Sequence, residues 1–431
     1  MVSIETLKKV IVEYQQFLEN VELQERDYVF EPNGKYVIVG VRHAGKSYLL
    51  YQRAKRMMAE GRSVRDLCYV NFDDERLSGM KADELDSVLV AYRSLYDRKP
   101  VLFFDEIQNV EGWERFARRL ANEKYQVFVT GANARMLSRE IATTLGGRYL
   151  TMEVTPYSFA EFMRANGVDP ADDWKYGSKA DAAARLVEPY LRYGGFPEIL
   201  EYADRRAWLN ALFGRILFND MIVRNGVRNE EALRLTVRKL AESVGRPVAC
   251  NRVANLVKAA GAATSAASVV EYVRFMRESC LVFPVPNAAA KFAEREAVKK
   301  HYFVDNGILN VFLTDPDSAL LENVCAVALR RVYGERLFFY RKNVEVDFYV
   351  PDEGYAAQVC WTMSDEAARK REIAALGKLH SRVPLKRAVV VTRAEKGSAE
   401  AGDGLNVEIV PLAEWLLELE AVRASASAKP D

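Results

Sequence analysis

The stretch KYVIVGVRHAGKSYLL, residues 35–50, constrains this chain more than any other. An apolar run, Tyr36 to Val39, ends at Gly40. Gly45, Lys46 and Ser47 follow, and then Tyr48, Leu49 and Leu50. The pattern is G-x-x-x-x-G-K-[ST], set after a strand-like run and at the start of a helix-like one. Its glycines let backbone N–H groups turn inward around phosphate oxygens, and the helix N-terminus adds positive potential. The spacing predicts a nucleotide phosphate site lined by Gly40, Arg42, His43, Ala44, Gly45, Lys46, Ser47 and Tyr48. Lys46 would reach the β- and γ-phosphates, and the Ser47 hydroxyl would ligate Mg²⁺. A plain glycine turn is the competing reading, and the strand-then-helix context weighs against it.

A chain of 431 residues suits two or three domains. The net charge of +1 removes any global electrostatic case for nucleic acid, so a basic surface must be local. The N-terminus, MVSIETLKKV, lacks an apolar signal core, and no apolar run approaches the ~20 residues of a membrane span. The expectation is a cytoplasmic protein with no membrane partner. The five cysteines are scattered without a C-x-x-C spacing, which reads as buried reduced thiols. The three histidines are far apart, which argues against a zinc site.

The second decisive stretch is Val101 to Phe104, a buried-strand run ending in Asp105 and Glu106. Two acids at the tip of a central strand are costly unless they hold a cation or a water. Beside a phosphate loop, Asp105 would hold Mg²⁺ through water or Ser47. Glu106 would orient and polarise the water that attacks the γ-phosphate. Gln126 to Thr130 is another strand, ending in TGAN. Thr130 and Asn133 then face the γ-phosphate, where either could sense it; Asn133 serves equally well as a helix cap. Arg148 follows a glycine pair at the domain edge. It reads either as an arginine finger reaching a neighbouring subunit or as a surface arginine in a turn. Alternating strands and helices with a ligand at the strand tips mean a three-layer α/β/α P-loop core with a mostly parallel sheet. Residues 4–18 carry apolar side chains at helical spacing and read as a structural brace.

GVRHAGKS, VLFFDEIQNVEGWERF, VFVTGANARMLS, LGGRYLTMEVTPYSFAEF and YLRYGGFPEIL, in this order, resemble the prokaryotic AAA+ ATPases related to archaeal ATPases and signal-transducing NTPases. HYFVDNGILN and ENVCAVALRR…VEVDFYV resemble the C-terminal domain of unknown function appended in one subgroup. The resemblance covers almost the whole chain. It implies ATP as the nucleotide, with Mg²⁺, and the roles already given to Lys46, Ser47, Asp105 and Glu106. It raises Arg148 as the arginine finger, which would imply a homo-oligomer; a monomer with Arg148 idle fits equally well. It also implies a hinge at Gly194, Gly195 and Pro197.

Four segments are expected: an ATPase core with its N-terminal helix (1–168), a helical lid and winged-helix-like domain (185–286), a C-terminal α/β domain resembling the restriction-endonuclease fold (287–422), and a disordered tail (423–431). Residues 169–184 read as a surface loop. The third helix of the middle domain, 265–277, offers few donors for base edges beyond Arg274, Arg277, Ser265 and Ser268, so packing outweighs sequence-specific DNA reading. Nucleases of the resembled fold use an acid on the first helix, an Asp on one strand and an acid-x-Lys on the next, the carboxylates binding Mg²⁺. Here Glu322 and Asp347 stand at the first two positions, but the third reads Gln358, Val359, Cys360. A neutral Gln is a poor Mg²⁺ ligand and a Cys cannot replace the Lys cation, so this site reads as catalytically dead or badly weakened. Basic residues at 330, 331, 336, 341, 342 and 369–371 offer a nucleic-acid backbone surface or a solvated face interleaved with Glu366 and Glu372. The sequence thus points to an ATP-hydrolysing switch or motor with a DNA or protein partner. An ATP-dependent endonuclease and a binding module with little turnover are the alternatives.

Overall fold

The computed structural model describes residues 2–137, 139–170 and 178–427. The chain divides into two compact units, one of Met1–Thr155 with Glu278–Cys280, the other of Pro156–Arg277 with Leu281–Asp431.

In the first unit the strands are β1 (Tyr36–Val39), β2 (Leu67–Asn71), β3 (Val101–Asp105), β4 (Val127–Gly131) and β5 (Leu150–Glu153). They form a parallel sheet in the order β2-β3-β4-β1-β5. The helices are α1 (Ile4–Asn20), α2 (Lys46–Ala59), α3 (Asp86–Leu95), α4 (Trp113–Asn122) and α5 (Arg139–Thr144). The period-2 alternation of each strand sorts its side chains onto two faces. Val37, Val39, Cys68, Val70, Leu102, Phe104, Val127 and Val129 pack with α3 and α4. The opposite face carries an aromatic row in register across four strands: Tyr36 on Phe128, Phe128 on Phe103 and Phe103 on Tyr69, with centroids 5.8, 4.9 and 6.3 Å apart. Tyr51 of α2 covers the end of that row, 5.1 Å from Tyr69. Helix α1 guards the β2 edge: Gln15 donates to the Leu67 carbonyl at 2.8 Å and accepts from the Tyr96 hydroxyl at 2.8 Å. A buried polar bond of this kind fixes the helix against a strand edge that would otherwise be open.

The second unit begins with α6 (Phe159–Ala165) and α7 (Ser178–Tyr193). The expected loop at 169–184 is therefore helical from Ser178; its part at 171–177 lies outside the described residues. Then come α8 (Arg205–Arg215), α9 (Glu230–Ala241), β6 (Val248–Ala249), α10 (Cys250–Ala259), α11 (Ala266–Glu278), β7 (Val282–Pro286), α12 (Phe292–Ala297) and β8 (Val298–Phe303). Strands β6, β8 and β7 form an antiparallel sheet in that order. The expected boundary at 286/287 therefore cuts a sheet in two, because the strand at 298–303 pairs backward with β7 and β6.

After α13 (Asn306–Asn310) and α14 (Asp317–Tyr333) come β9 (Phe338–Arg341), β10 (Glu345–Val350), β11 (Tyr355–Cys360), α15 (Glu366–His380), β12 (Arg387–Thr392), β13 (Gly397–Glu400), β14 (Asn406–Pro411) and α16 (Leu412–Ser427). The sheet is mixed and ordered β13-β14-β12-β11-β10-β9. Helix α16 extends into the stretch expected to be disordered; residues 428–431 lie outside the described residues.

The glycine pair Gly194–Gly195 lies inside the second unit, and Asp305 pins it. The Asp305 carboxylate accepts the Gly195 and Gly307 amides, each at 2.7 Å. Gly194 has φ +74°, and a Cβ there would fall 2.0 Å from Asp305 Oδ1. Burial pushes the Asp305 carboxyl up to about 6, against the pull of its three backbone amide donors. The folded-state value lies above the unfolded one, so protonation stabilises the fold as pH drops through about 6 and the gain is complete below ~4. Relative to Asp305→Asn, which cannot titrate, the wild type should gain on the order of 3 kcal/mol between pH 7 and pH 4 in urea unfolding. A gap that does not change with pH would contradict this reading of the buried carboxyl.

Candidate functional site at the strand tips

The phosphate loop leaves β1 at Gly40. A Cβ on Gly40 would fall 2.0 Å from the Val154 carbonyl oxygen, so only glycine lets the loop pass the end of β5. His43 and Gly45 both have left-handed backbone, φ +63° and +91°, and Gly45 caps α2. The loop is braced from behind by Arg26, which the sequence reading missed. Its guanidinium donates to the Ala44 carbonyl at 3.0 Å and the Thr155 carbonyl at 2.8 Å. Gln52 of α2 clamps the Arg26 backbone, accepting its N–H at 2.9 Å and donating to its carbonyl at 3.0 Å. No local pattern marks an arginine in VELQERDYVF for this task.

Lys46 is buried. Its ammonium donates to the Gly40 and Val41 carbonyls at 3.2 and 3.3 Å and stands 3.6 Å from Glu106 Oε1. Asp105, at the tip of β3, is fully buried and accepts three hydroxyls: Tyr69 from β2 at 2.6 Å, Thr130 from β4, and Ser47. Burial and the neighbouring Glu106 charge push its carboxyl up, and the three hydroxyls pull against them. Tyr69 is the second residue the sequence reading missed. It sits in an ordinary strand, and only the β2–β3 pairing brings it to Asp105.

Glu106 adopts left-handed backbone, φ +51°, at the turn out of β3. A non-glycine residue there carries strain that surrounding contacts must hold. Thr130 supplies one, accepting the Glu106 N–H at 3.0 Å while its own hydroxyl donates to Asp105. Gln108 supplies another, donating from Nε2 to Glu106 Oε2. Burial raises the Glu106 carboxyl, but Lys46, Gln108 and Arg42 outweigh it, and the group lies below the usual glutamate range. Glu106 is therefore ionised at neutral pH.

The structure thus brings Gly40, Arg42, Gly45, Lys46, Ser47, Asp105, Glu106 and Thr130 together. His43 and Ala44 shape the loop, and Tyr48 is exposed with its ring 5.4 Å from Tyr51. Asn133 Oδ1 accepts the Arg135 amide at 2.8 Å, which is the capping geometry rather than that of a side chain aimed at a phosphate. Arg148 is exposed in the turn before β5, folded over Gly146. In a parallel sheet that is the end of the strands opposite the phosphate loop, about 13 Å away along a four-residue strand. It does not meet the loop of its own chain.

In the second unit, Glu322, Asp347 and Gln358 also come together, around a residue the sequence reading left out. Lys300 from β8 lies 3.2 Å from Glu322, 3.0 Å from Asp347 and 3.5 Å from Glu345. Gln358 uses its amide elsewhere: Oε1 accepts the Asp347 N–H at 2.7 Å, and Nε2 donates to Glu372 at 2.8 Å. Glu372 is buried by this contact rather than solvated as expected. The Cys360 thiol donates to the Thr362 carbonyl at 3.0 Å.

Six of the eight basic residues form ion pairs, while Lys342 and Arg369 are exposed. Arg330 pairs with Glu335, Arg336 with Glu353, Arg341 with Glu345, Lys370 with Glu366 and Arg371 with Glu372. The Arg331 side chain is 5% exposed and holds Glu161, itself fully buried, at 3.2 Å. It is not part of any surface.

A parallel α/β sheet with a phosphate loop after β1 and an acidic pair at the tip of β3 defines an AAA-type nucleotide-binding fold. Residues 33–163 match the AAA domain family, and residues 184–318 match a domain of unknown function, DUF8612. The chain belongs to the family that includes the uncharacterized protein MJ1544 of Methanocaldococcus jannaschii. The two are 31% identical over 434 residues, covering 95% of this chain and 96% of that one. An uncharacterized protein of Haemophilus influenzae is 25% identical over 96% of this chain and 100% of its own length. The Orc1 protein of Aeropyrum pernix, solved in complex with DNA, is 15% identical over 73% of this chain and 93% of its own, with a TM-score of 0.28. At that score the likeness carries nothing about fold or partner. Among the described residues no helix is long and apolar enough to cross a membrane.

Proposed function

We propose that this chain binds ATP and hydrolyses it, using turnover as a conformational switch or motor coupled to a nucleic-acid or protein partner. The observation that carries the reading is one contact set. The Ser47 hydroxyl meets Asp105 at the strand tips, and Lys46 stands 3.6 Å from an ionised Glu106 beside them.

Each side chain then has a task. The Lys46 ammonium turns from the Gly40 and Val41 carbonyls to the β- and γ-phosphates. Loss of that pairing leaves Glu106 free to accept a proton from the attacking water, with Gln108 and Thr130 fixing its position. Ser47 and Asp105 suit a hard cation, one offering a hydroxyl and the other a carboxylate, with Tyr69 and Thr130 aligning the carboxylate. Mg²⁺ held there would neutralise charge on the phosphate oxygens. A binder with little turnover would not need an ionised Glu106 held in strained backbone. Nuclease action by the C-terminal domain has no support in a cluster whose cation is Lys300.

Binding is tested by thermal unfolding with Mg·ATP, Mg·GTP and neither. ATP at about 100 times its Kd should stabilise the chain by about 2.7 kcal/mol, and Lys46→Ala should lose the gain. No shift with either nucleotide would sink the reading.

Arg148 points to assembly. Its position at the far end of β5 suits action on a neighbour's nucleotide, never on its own. Arg148→Ala and Lys46→Ala should each be nearly inactive alone, by about 10³-fold for the former. An equimolar mixture should recover a measurable fraction of wild-type turnover, because some sites then pair an intact loop with an intact arginine. Full activity of Arg148→Ala alone would remove it from the site.

A further inference from the structure

We propose that Lys300 is this chain's own cation in a carboxylate site, an ammonium standing where a divalent metal ion would otherwise bind. The site is built from three elements. β8 gives Lys300 and Tyr302, α14 gives Glu322, and β10 gives Glu345 and Asp347. β8 belongs to the three-stranded sheet and β10 to the six-stranded one, so the ammonium also ties two sheets together.

The geometry is that of an occupied centre. The Lys300 side chain is fully buried, and its nitrogen lies 3.0, 3.2 and 3.5 Å from oxygens of Asp347, Glu322 and Glu345. An ammonium has three N–H donors, and three carboxylates surround it. The Phe339 ring, with its centroid 5.5 Å from the nitrogen, closes another side. The carboxylates are held from behind as well. Tyr302 donates to Glu322 at 2.6 Å, and the Val359 amide donates to Asp347 Oδ2 at 3.1 Å.

Charge explains why a cation must stay. Burial and the Asp347 charge push Glu322 up, and Lys300 opposes both. Burial favours loss of the Lys300 proton, but the three carboxylates outweigh it and hold the ammonium above its ordinary range. An uncompensated buried carboxylate pair would be strongly unfavourable. A divalent cation could serve the same carboxylates only if the ammonium left, since hard cations want oxygens at about 2.0–2.6 Å. The oxygens here are set at ammonium distances. Accordingly, among the described residues no group of three His, Cys, Asp or Glu side chains is arranged to hold a metal. A contraction of about 1 Å around a vacated centre would change that.

The test is Mn²⁺ binding by electron paramagnetic resonance on the nucleotide-free full chain, comparing wild type, Asp347→Asn, Lys300→Ala and Lys300→Ala/Asp347→Asn. Wild type and Asp347→Asn should bind Mn²⁺ alike, because the cluster is filled. Lys300→Ala should gain one Mn²⁺ site at least tenfold tighter than anything in wild type, and the double variant should lose it. Circular dichroism checks that each variant is folded. A wild-type Mn²⁺ site that Asp347→Asn removes would overturn the proposal, as would a folded Lys300→Ala that gains nothing. If Lys300→Ala does not fold with or without Mn²⁺, the comparison of wild type with Asp347→Asn decides alone.

Discussion

Glu106→Gln is expected to lower ATP turnover by about 10²–10⁴-fold while leaving Mg·ATP affinity equal to or tighter than wild type. The substitution keeps the size of the side chain and removes only its charge and basicity. Lys46 is held in its own loop partly by that charge, 3.6 Å away. Neutralising Glu106 therefore frees the ammonium for phosphate at the same time as it removes the acceptor for the water's proton. A structural role for Glu106 would predict the opposite pattern, with stability and affinity falling together. Single-turnover hydrolysis and nucleotide titration on the same preparation separate the two. Unchanged turnover in Glu106→Gln would end its assignment as the base.

Arg331→Ala is expected to cost about 3–5 kcal/mol of stability in the second unit. Arg331 donates to the Pro156 carbonyl at 3.1 Å and to Glu161 at 3.2 Å. Glu161 is fully buried and also closes the cap of α6, where Ser158 donates its amide to the same carboxylate. Removing the guanidinium takes the Arg331 cation away from that buried carboxylate. The decisive comparison is the pair Arg331→Met with Glu161→Gln, which removes both charges and should regain much of the loss. Urea unfolding reads it. A surface role in nucleic-acid binding would predict almost no change in stability for Arg331→Ala.

What the sequence made legible follows from how local each signal is. The phosphate loop and the acidic strand end are written in consecutive residues, and the structure brings Ser47, Lys46, Asp105 and Glu106 together. Tyr69, Arg26 and Lys300 were invisible for the converse reason. Each acts across a long stretch of chain: Tyr69 on Asp105, Arg26 on Ala44 and Thr155, Lys300 on Glu322 and Asp347. Lys300 and Tyr302 share a strand face, and nothing in KKHYF distinguishes a lysine that points into three carboxylates from one that points into water. Arg331 was misread because Arg330 beside it belongs to a half-buried face and the two look alike in sequence. The boundary at 286 failed because β8 returns to pair with β7 after a short helix, and a strand's partners are not written in its own residues. Asn133 was left open between sensing and capping, and the Arg135 amide occupies its carbonyl oxygen.

The most direct test of the account is phosphate release from ATP by the purified chain in Mg²⁺, alone and with duplex DNA, with Lys46→Ala alongside. The expected result is turnover that Lys46→Ala abolishes. A rise with DNA would support a DNA-coupled ATPase, and indifference to DNA would move the search to protein partners. Turnover that survives in Lys46→Ala, or a chain that binds Mg·ATP and releases no phosphate under either condition, would contradict it.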